Sequence, residues 1–155
     1  MPLDPPVARA TMLIRRPVDE VYRAFVDPSV TTRFWFSRAS GPLEEGASVD
    51  WYWDHYGVSA QVRVRALEPG RRIAIDWPTP VEWRFSPRGG TATFVEITAS
   101  GFSGSEDEQV RQALDSTEGF NLVVAACKAW LEHGIDIGVI DDKHPHDSGD
   151  SAGAA

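Results

Sequence analysis

Along this chain the spacing of apolar residues changes twice, and the changes divide it into elements. Between Val7 and Ile14 the residues suit a strand. From Pro17 the period is helical: Val18, Val21, Tyr22 and Phe25 share one face, Asp19 and Glu20 occupy the first turn, and Asp27-Pro28 ends the helix. A second short helix is predicted from Ser29 to about Phe36, carrying Val30, Phe34, Trp35 and Phe36. From Ala47 the period becomes two. Ala47, Val49, Trp51 and Trp53 alternate with polar neighbours, then Val58, Ala60, Val62, Val64 and Ala66, then Ile73, Ile75 and Trp77, then Val81, Trp83 and Phe85. Thr91 to Ser100 is the last predicted strand. Turn signals separate the strands at His55-Tyr56-Gly57, Pro69-Gly70, Pro78 to Pro80 and Pro87 to Gly90. Turns this frequent imply an antiparallel meander with one dry face.

The period returns to about 3.6 at Ser105. Val110, Leu114, Phe120, Val124, Cys127 and Leu131 predict one long amphipathic helix to Gly134, with Val123, Ala126 and Trp130 widening the stripe. Ser105 suits the N-cap, Glu108 stands at capping-box spacing, and Glu106 and Asp107 complement the helix dipole. Lys128, His133 and Gly134 mark the other end. Some 28 residues span about 42 Å, so the helix must cross a whole sheet or break. If the helix breaks, the break should fall near Ser116, Thr117 and Gly119, where helix propensity is poor. The sum is an α+β helix-grip fold: a curved antiparallel sheet of about six strands on a long C-terminal helix, with two short helices after the first strand. Residues 1–140 form the single domain of this reading. Residues 141–155, acidic and rich in small residues, are expected to be a disordered tail.

Composition narrows the function classes. Apolar residues make up 42% and charged residues 25% of the 155 positions, as in an ordinary globular protein. The net charge of −8 is uneven: residues 1–100 balance 12 acidic against 12 basic side chains, while residues 101–155 carry 11 acidic and 3 basic ones. That acidic final third argues against nucleic acid and against anionic membrane surfaces. With no membrane-length apolar run, no signal-peptide layout and one cysteine, the expected location is the cytoplasm.

Strand parity is the test for chemistry. Almost every ionisable strand residue, among them Asp50, Asp54, Arg63, Arg65, Arg72, Asp76, Glu82 and Arg84, falls on the parity opposite the apolar one. A general acid or base must face the reacting centre, so the pattern favours a binding cavity over an active site. Glu96 has ambiguous parity, and His55 and Tyr56 at their hairpin either reach a cavity mouth or are solvated turn residues. Trp35, Trp51, Trp53, Trp77 and Trp83 suit either a pocket for a flat or aromatic ligand or plain core filling. Phe85, Phe120, Val124 and Cys127 complete the candidate lining. Asn121 and Thr117 flank the helix stripe as either ligand donors or local caps. Asp141, Asp142, His144, His146 and Asp147 crowd one segment, but without a rigid frame no metal site is assigned. No cofactor is expected either: the sequence carries no phosphate-binding glycine loop and no nucleophile elbow.

The element order and several strings resemble the START-like (SRPBCC) superfamily, and within it the domain of activators of the ninety-kilodalton heat-shock chaperone's ATPase. The matching strings are RRPVDEVYRAFVDP, FWFS, PLEEG, RRIAIDW, TATFVEITASGF and FNLVVAACKAWLEHGI, and the resemblance that they mark in this order spans nearly the whole of residues 7–138. Where that family usually has tryptophan at the start of the helix's second half, this chain has Phe120. The resemblance implies a mostly apolar cavity between sheet and long helix, open near the short helices. It does not imply one activity. The first expectation is a non-catalytic protein holding a small apolar or aromatic molecule, with a stress-related role through the chaperone link. The alternatives are an enzyme like the polyketide cyclases and dehydratases, needing Glu96, His55 or Tyr56 inside the cavity, and a chaperone ATPase-regulating module. A homodimer stays open.

Overall fold

In the computed structural model, which describes residues 4–145, seven strands form one antiparallel sheet of order β1-β7-β6-β5-β4-β3-β2. They are β1 (Ala8–Ile14), β2 (Arg38–Ala39), β3 (Ser48–Trp53), β4 (Val58–Glu68), β5 (Arg72–Trp77), β6 (Thr79–Arg88) and β7 (Ala92–Ala99). The helices are α1 (Val18–Val26), α2 (Pro28–Thr31), α3 (Glu106–His133) and α4 (Val139–Lys143). The sheet is curved, and α3 lies along β1 on its concave side. This is the α+β helix-grip architecture expected.

Parity explains the sheet. Val49, Trp51 and Trp53 of β3, Val62 and Val64 of β4, Ile73 and Ile75 of β5, Val81, Trp83 and Phe85 of β6, and Val95 and Ile97 of β7 are all buried. Their polar neighbours pair on the opposite face: Arg65 with Asp76 at 3.1 Å, Arg72 with Glu82 at 2.9 Å, and Arg9 with Glu96 at 2.6 Å. These partly exposed pairs tidy the outer face and contribute up to about 1 kcal/mol each; burial of the opposite face carries the stability.

Several elements differ from expectation for identifiable reasons. A two-residue strand, β2, is too short to show alternation; it pairs Arg38 with Tyr52 and Ala39 with Trp51 at the sheet edge. The second helix stops at Thr31 rather than Phe36, with the Thr31 hydroxyl donating to the Ala24 carbonyl at 2.5 Å. Phe34, Trp35 and Phe36 continue as turns, so all three rings reach the core (5%, 7% and 2% exposed), which one helical face does not allow. The tail expected from residue 141 is ordered at its start. Residues 139–143 are helical, and Ile140 and His144 are buried; residues 146–155 lie outside the described residues.

α3 runs unbroken for 28 residues, with both hydrogen bonds of the capping box formed between Ser105 and Glu108 and a left-handed Gly134 (φ 64°) at its end. Near Ser116 the ladder is reinforced locally: the Thr117 hydroxyl donates to the Ala113 carbonyl at 2.7 Å, and the Asn121 amide donates to the Thr117 carbonyl at 2.7 Å. At the other end Glu132 ties the helix to β1, accepting from the Arg15 backbone N–H at 2.8 Å and from Lys128 Nζ at 2.6 Å.

Gly119 is the weak point of propensity in α3, and no heavy atom lies within 4 Å of where a Cβ would sit. Gly119→Ala should therefore raise unfolding free energy by about 0.5–1 kcal/mol, read as a thermal midpoint a few degrees higher by circular dichroism. A lower midpoint would show that the helix needs its glycine.

Candidate functional site: a cavity between the sheet and the long helix

A cavity of about 390 Å³ lies between α3, the strands β5 to β7 and the C-terminal segment. Its apolar wall is built by Trp35, Trp77, Val81, Ala99, Phe102, Phe120, Val123 and Ile140. Its polar lining comes mainly from the C-terminal part of the chain: Gln112, Asp115 and Ser116 of α3, Lys143 of α4, and His144 just past it. Thr79 adds a hydroxyl from β6, with Pro78 and Gly119 completing the edge.

The inward face of α3 changes character along its length, and this is why periodicity misjudges it. Toward the C-terminus Val123, Val124, Ala126 and Cys127 are packed at 3% exposure or less. In the first half only Ala113 is buried (6% exposed), while Gln112, Ser116, Gly119 and the exposed Asp115 border the cavity rather than a packed core. Val110 and Leu114, placed on the buried stripe by spacing, point outward at 46% and 64% exposure. A helix over a cavity has no apolar seam there to read.

Of the candidate lining residues, the structure brings Trp35, Trp77 and Phe120 to the cavity. Trp51, Trp53 and Trp83 stand one layer behind. Trp53 stacks on Trp77 with ring centroids 5.6 Å apart at 11°, Trp51 lies 5.0 Å from Trp35 and 5.4 Å from Trp77, and Trp83 lies 6.2 Å from both Trp35 and Phe120. These rings hold the wall rather than form it. Phe85 packs at the far end against Tyr22 and Phe25 of α1. Val124 and Cys127, both 0% exposed, are core, and burial pushes the Cys127 thiol far up, leaving it no thiolate character. Glu96 faces outward against Arg9.

His55 and Tyr56 do not line the cavity; they hold the segment that does. The Tyr56 and His144 rings pack with centroids 4.2 Å apart at a tilt of 31°, and a His55 ring nitrogen lies 2.9 Å from the His144 carbonyl. Lys143 pairs with Glu118 of α3 and, through that hydrogen bond first, holds its carboxyl below the usual range. Burial lowers the His144 pKa from its ordinary value, with the charges of Lys143 and His55 adding to it. Burial, and then the charge of Asp141, pushes the Tyr56 phenol up to about 12. Among the described residues, four buried side-chain polar atoms have no hydrogen-bond partner: Trp53 Nε1, Trp83 Nε1, Tyr56 Oη and His144 Nε2.

Sequence reasoning misses Phe102, Gln112, Asp115, Ser116, Val123, Ile140 and Lys143 as cavity residues, and weighs His144 only as a metal ligand. A signal exists for one part of this: an Ile beside Val139 in an otherwise polar segment marks an anchor rather than a tail. Among the described residues no three histidine, cysteine or carboxylate side chains converge as a metal site, and His146 and Asp147 lie outside those residues.

With this geometry in hand, comparison with known proteins gives the class. The sheet gripped by one long helix is that of the START-like proteins, and residues 15–132 match the model of the family described as Activator of Hsp90 ATPase homolog 1-like protein. The chain belongs to that family. Among solved structures it is similar to the protein SSP2350 from Staphylococcus saprophyticus (28% identity, TM-score 0.75, 84% of this chain and 95% of that one). It also shares its fold with the Aha1 dimer from Colwellia psychrerythraea (18%, 0.70, 83% and 97%) and with CalU16 from Micromonospora echinospora (20%, 0.64, 88% and 89%). A search of curated proteins finds no match. Among the described residues no helix is long and apolar enough to cross a membrane.

The buried, unpartnered Tyr56 hydroxyl has a measurable consequence. Its folded pKa of about 12 lies above the ordinary value of 10.0. The native state therefore holds this proton more tightly than the unfolded chain. Ionisation of this group leaves stability unchanged below pH 10 and lowers it as pH rises from 10 toward 12, where the unfolded chain releases the proton first. Tyr56→Phe removes the ionisable group and an unsatisfied hydroxyl together. Its stability at pH 7 should match or exceed wild type by up to about 1 kcal/mol, since removing an unpaired buried polar atom relieves a desolvation cost. Its unfolding midpoint should also fall less steeply between pH 10 and 12. A Tyr56→Phe protein with a wild-type alkaline profile would show that the phenol ionises freely in the fold.

Proposed function

We propose that the protein is a non-catalytic binding protein that holds a small aromatic or apolar molecule in the cavity beneath α3. The observation that carries this reading is the composition of the deep wall. Trp35, Trp77 and Phe120, with Val81, Ala99 and Val123, present carbon surface with no titratable group among them. The volume falls in the range of small-molecule sites, roughly 300–1,000 Å³. A two-ring aromatic of indole size that removes about 200 Å² from water gains about 5 kcal/mol at 25 cal/mol/Å². That gain is offset by association costs of similar size, so a wall held rigid by the tryptophans behind it favours binding by limiting what must be ordered.

The enzyme reading loses the three groups named for it, while Asp115, Lys143 and His144 stand on the polar side of the cavity lining. A cyclase or dehydratase needs an acid or base against the reacting atoms, and the three groups it calls for are elsewhere: Glu96 on the outer face, His55 and Tyr56 at the hairpin. The family description connects its members to a chaperone ATPase; a cavity is not needed for surface contact with a chaperone, and this cavity is what the binding reading explains. A homodimer is the remaining partner reading, suggested by the dimer of the similar Colwellia protein; sedimentation velocity at micromolar concentration decides between one copy and two.

The test is tryptophan fluorescence titrated with naphthalene, a sterol and a fatty acid. Flat aromatics should quench and shift the emission of the wild-type protein. Gly119→Leu, which places a side chain into the open space at the cavity edge, should weaken that binding by at least about tenfold, roughly 1.4 kcal/mol, while the protein stays folded by circular dichroism. If no ligand class changes the emission, or Gly119→Leu binds as wild type does, the cavity is not a binding site.

A further inference from the structure

Donors and acceptors are unevenly used at the polar edge of the cavity. Gln112, Asp115 and Ser116 stand three and four residues apart on α3, so one helix face carries all three to the cavity. The nitrogen donors of the lining are engaged. The Gln112 amide donates to the Ser103 carbonyl at 2.8 Å and to the Glu108 carbonyl at 3.2 Å, and Lys143 Nζ is held by Glu118. The acceptors are not. Among the described residues nothing hydrogen-bonds to the Gln112 side-chain oxygen or to the Asp115 carboxylate, and Arg111, one turn before Asp115, forms no ion pair with it. Asp115 is also exposed, so a molecule entering the cavity can reach it. Lys143 and Glu118 offset each other, and burial favours the uncharged His144 imidazole. Among the described residues of the lining, Asp115 is therefore the charge left without a counter-charge.

We infer that the cavity takes a ligand with a flat aromatic body and a protonated amine, the rings lying against Trp35, Trp77 and Phe120 and the ammonium meeting Asp115 at the cavity edge. This rests on the binding reading above and names its ligand class. An ammonium group carries donors and no acceptor, which complements the unmet oxygens of Asp115 and Gln112. The wall tolerates the same charge, because the faces of tryptophan and phenylalanine rings attract cations. The field of the chain points the same way. Its net charge is −8, and residues 101–155, which include α3 and α4, carry 11 acidic and 3 basic side chains. A cleft in such a field concentrates cations and repels anions. A carboxylate ligand would face Asp115 with Lys143 already taken by Glu118.

Three probes that share one ring system and differ in charge isolate the ion pair. They are 1-naphthylmethylamine, protonated at pH 7, the neutral 1-naphthalenemethanol and the anionic 1-naphthoic acid, each titrated by tryptophan fluorescence. At low salt the amine should bind the wild-type chain about threefold to fivefold more tightly than the alcohol, the range of an exposed ion pair, and the acid more weakly than either. Raising the salt should remove the amine's advantage. Asp115→Asn keeps the size of an exposed side chain and should bring the amine down to the affinity of the alcohol. Asp107→Asn removes a like charge from α3 outside the cavity lining and should keep the amine's advantage. An amine bound no more tightly than the alcohol, an advantage that survives Asp115→Asn, or one lost equally in Asp107→Asn would overturn the inference, while binding of the alcohol still upheld the cavity. Failure of all three probes to bind would overturn both. The salt series needs no variant, so a poorly folded Asp115→Asn does not blunt the test.

Discussion

A sheet with one wholly apolar face can persist in water only if something covers that face, and here a single helix is the main cover. Seven strands turn their valines, isoleucines and tryptophans to one side. One helix about 10 Å wide cannot shield a flat sheet of that breadth. The sheet must therefore curve around the helix, and curvature leaves a space wherever the cylinder and the concave surface do not meet. The cavity is the geometric remainder of the same constraint that stabilises the fold.

That remainder is only partly filled, and how it is filled gives the site its character. Near β1 the fit is close: α3 packs Val123, Val124, Ala126 and Cys127 into the core. Toward β5 and β6 the gap widens and the chain inserts its largest side chains. Trp35 from the turns after α2 touches Trp51, Trp53, Trp77, Trp83 and Phe120 at centroid distances between 5.0 and 6.4 Å. Rings of this size pack edge-to-face and stacked, supporting one another without closing the space completely. What is left is bounded by a stiff aromatic wall on one side and by small or polar helix residues on the other. The C-terminal segment brings the imidazole of His144 to that space. The tryptophans thus serve both as core and as wall, and which role each plays depends on whether it is in the first or the second layer from the void.

Much of this is legible in the residues. Period-two alternation places four of the seven strands and separates the ionisable face from the apolar one, because a half-buried strand gives each face its own solvent. The Ser105–Glu108 capping box and Gly134 locate both ends of α3, because helix termini need particular partners for their unpaired backbone groups. The site is less legible. Trp35, Trp77 and Phe120 are among the candidates, but nothing local distinguishes them from Trp51, Trp53 and Trp83: all six are aromatic and inward-facing, and their layer depends on sheet curvature. Gln112, Asp115, Ser116 and Gly119 give no apolar signal, since residues bordering a void are released from the rule that inward means apolar.

The amino-acid sequence by itself determined which residues face inward on β3 to β6, where the long helix begins and ends, and that charge is kept off the apolar face of those strands, because each of these comes from the contrast between water and interior read one or four residues at a time. Only the tertiary structure decided that α3 stays whole through Ser116 and Gly119, that a void remains under its first half, and that residues 139–144 fold back to border it. Those outcomes depend on distances between elements far apart in the chain, as between His55 and His144, and no local periodicity encodes such a distance.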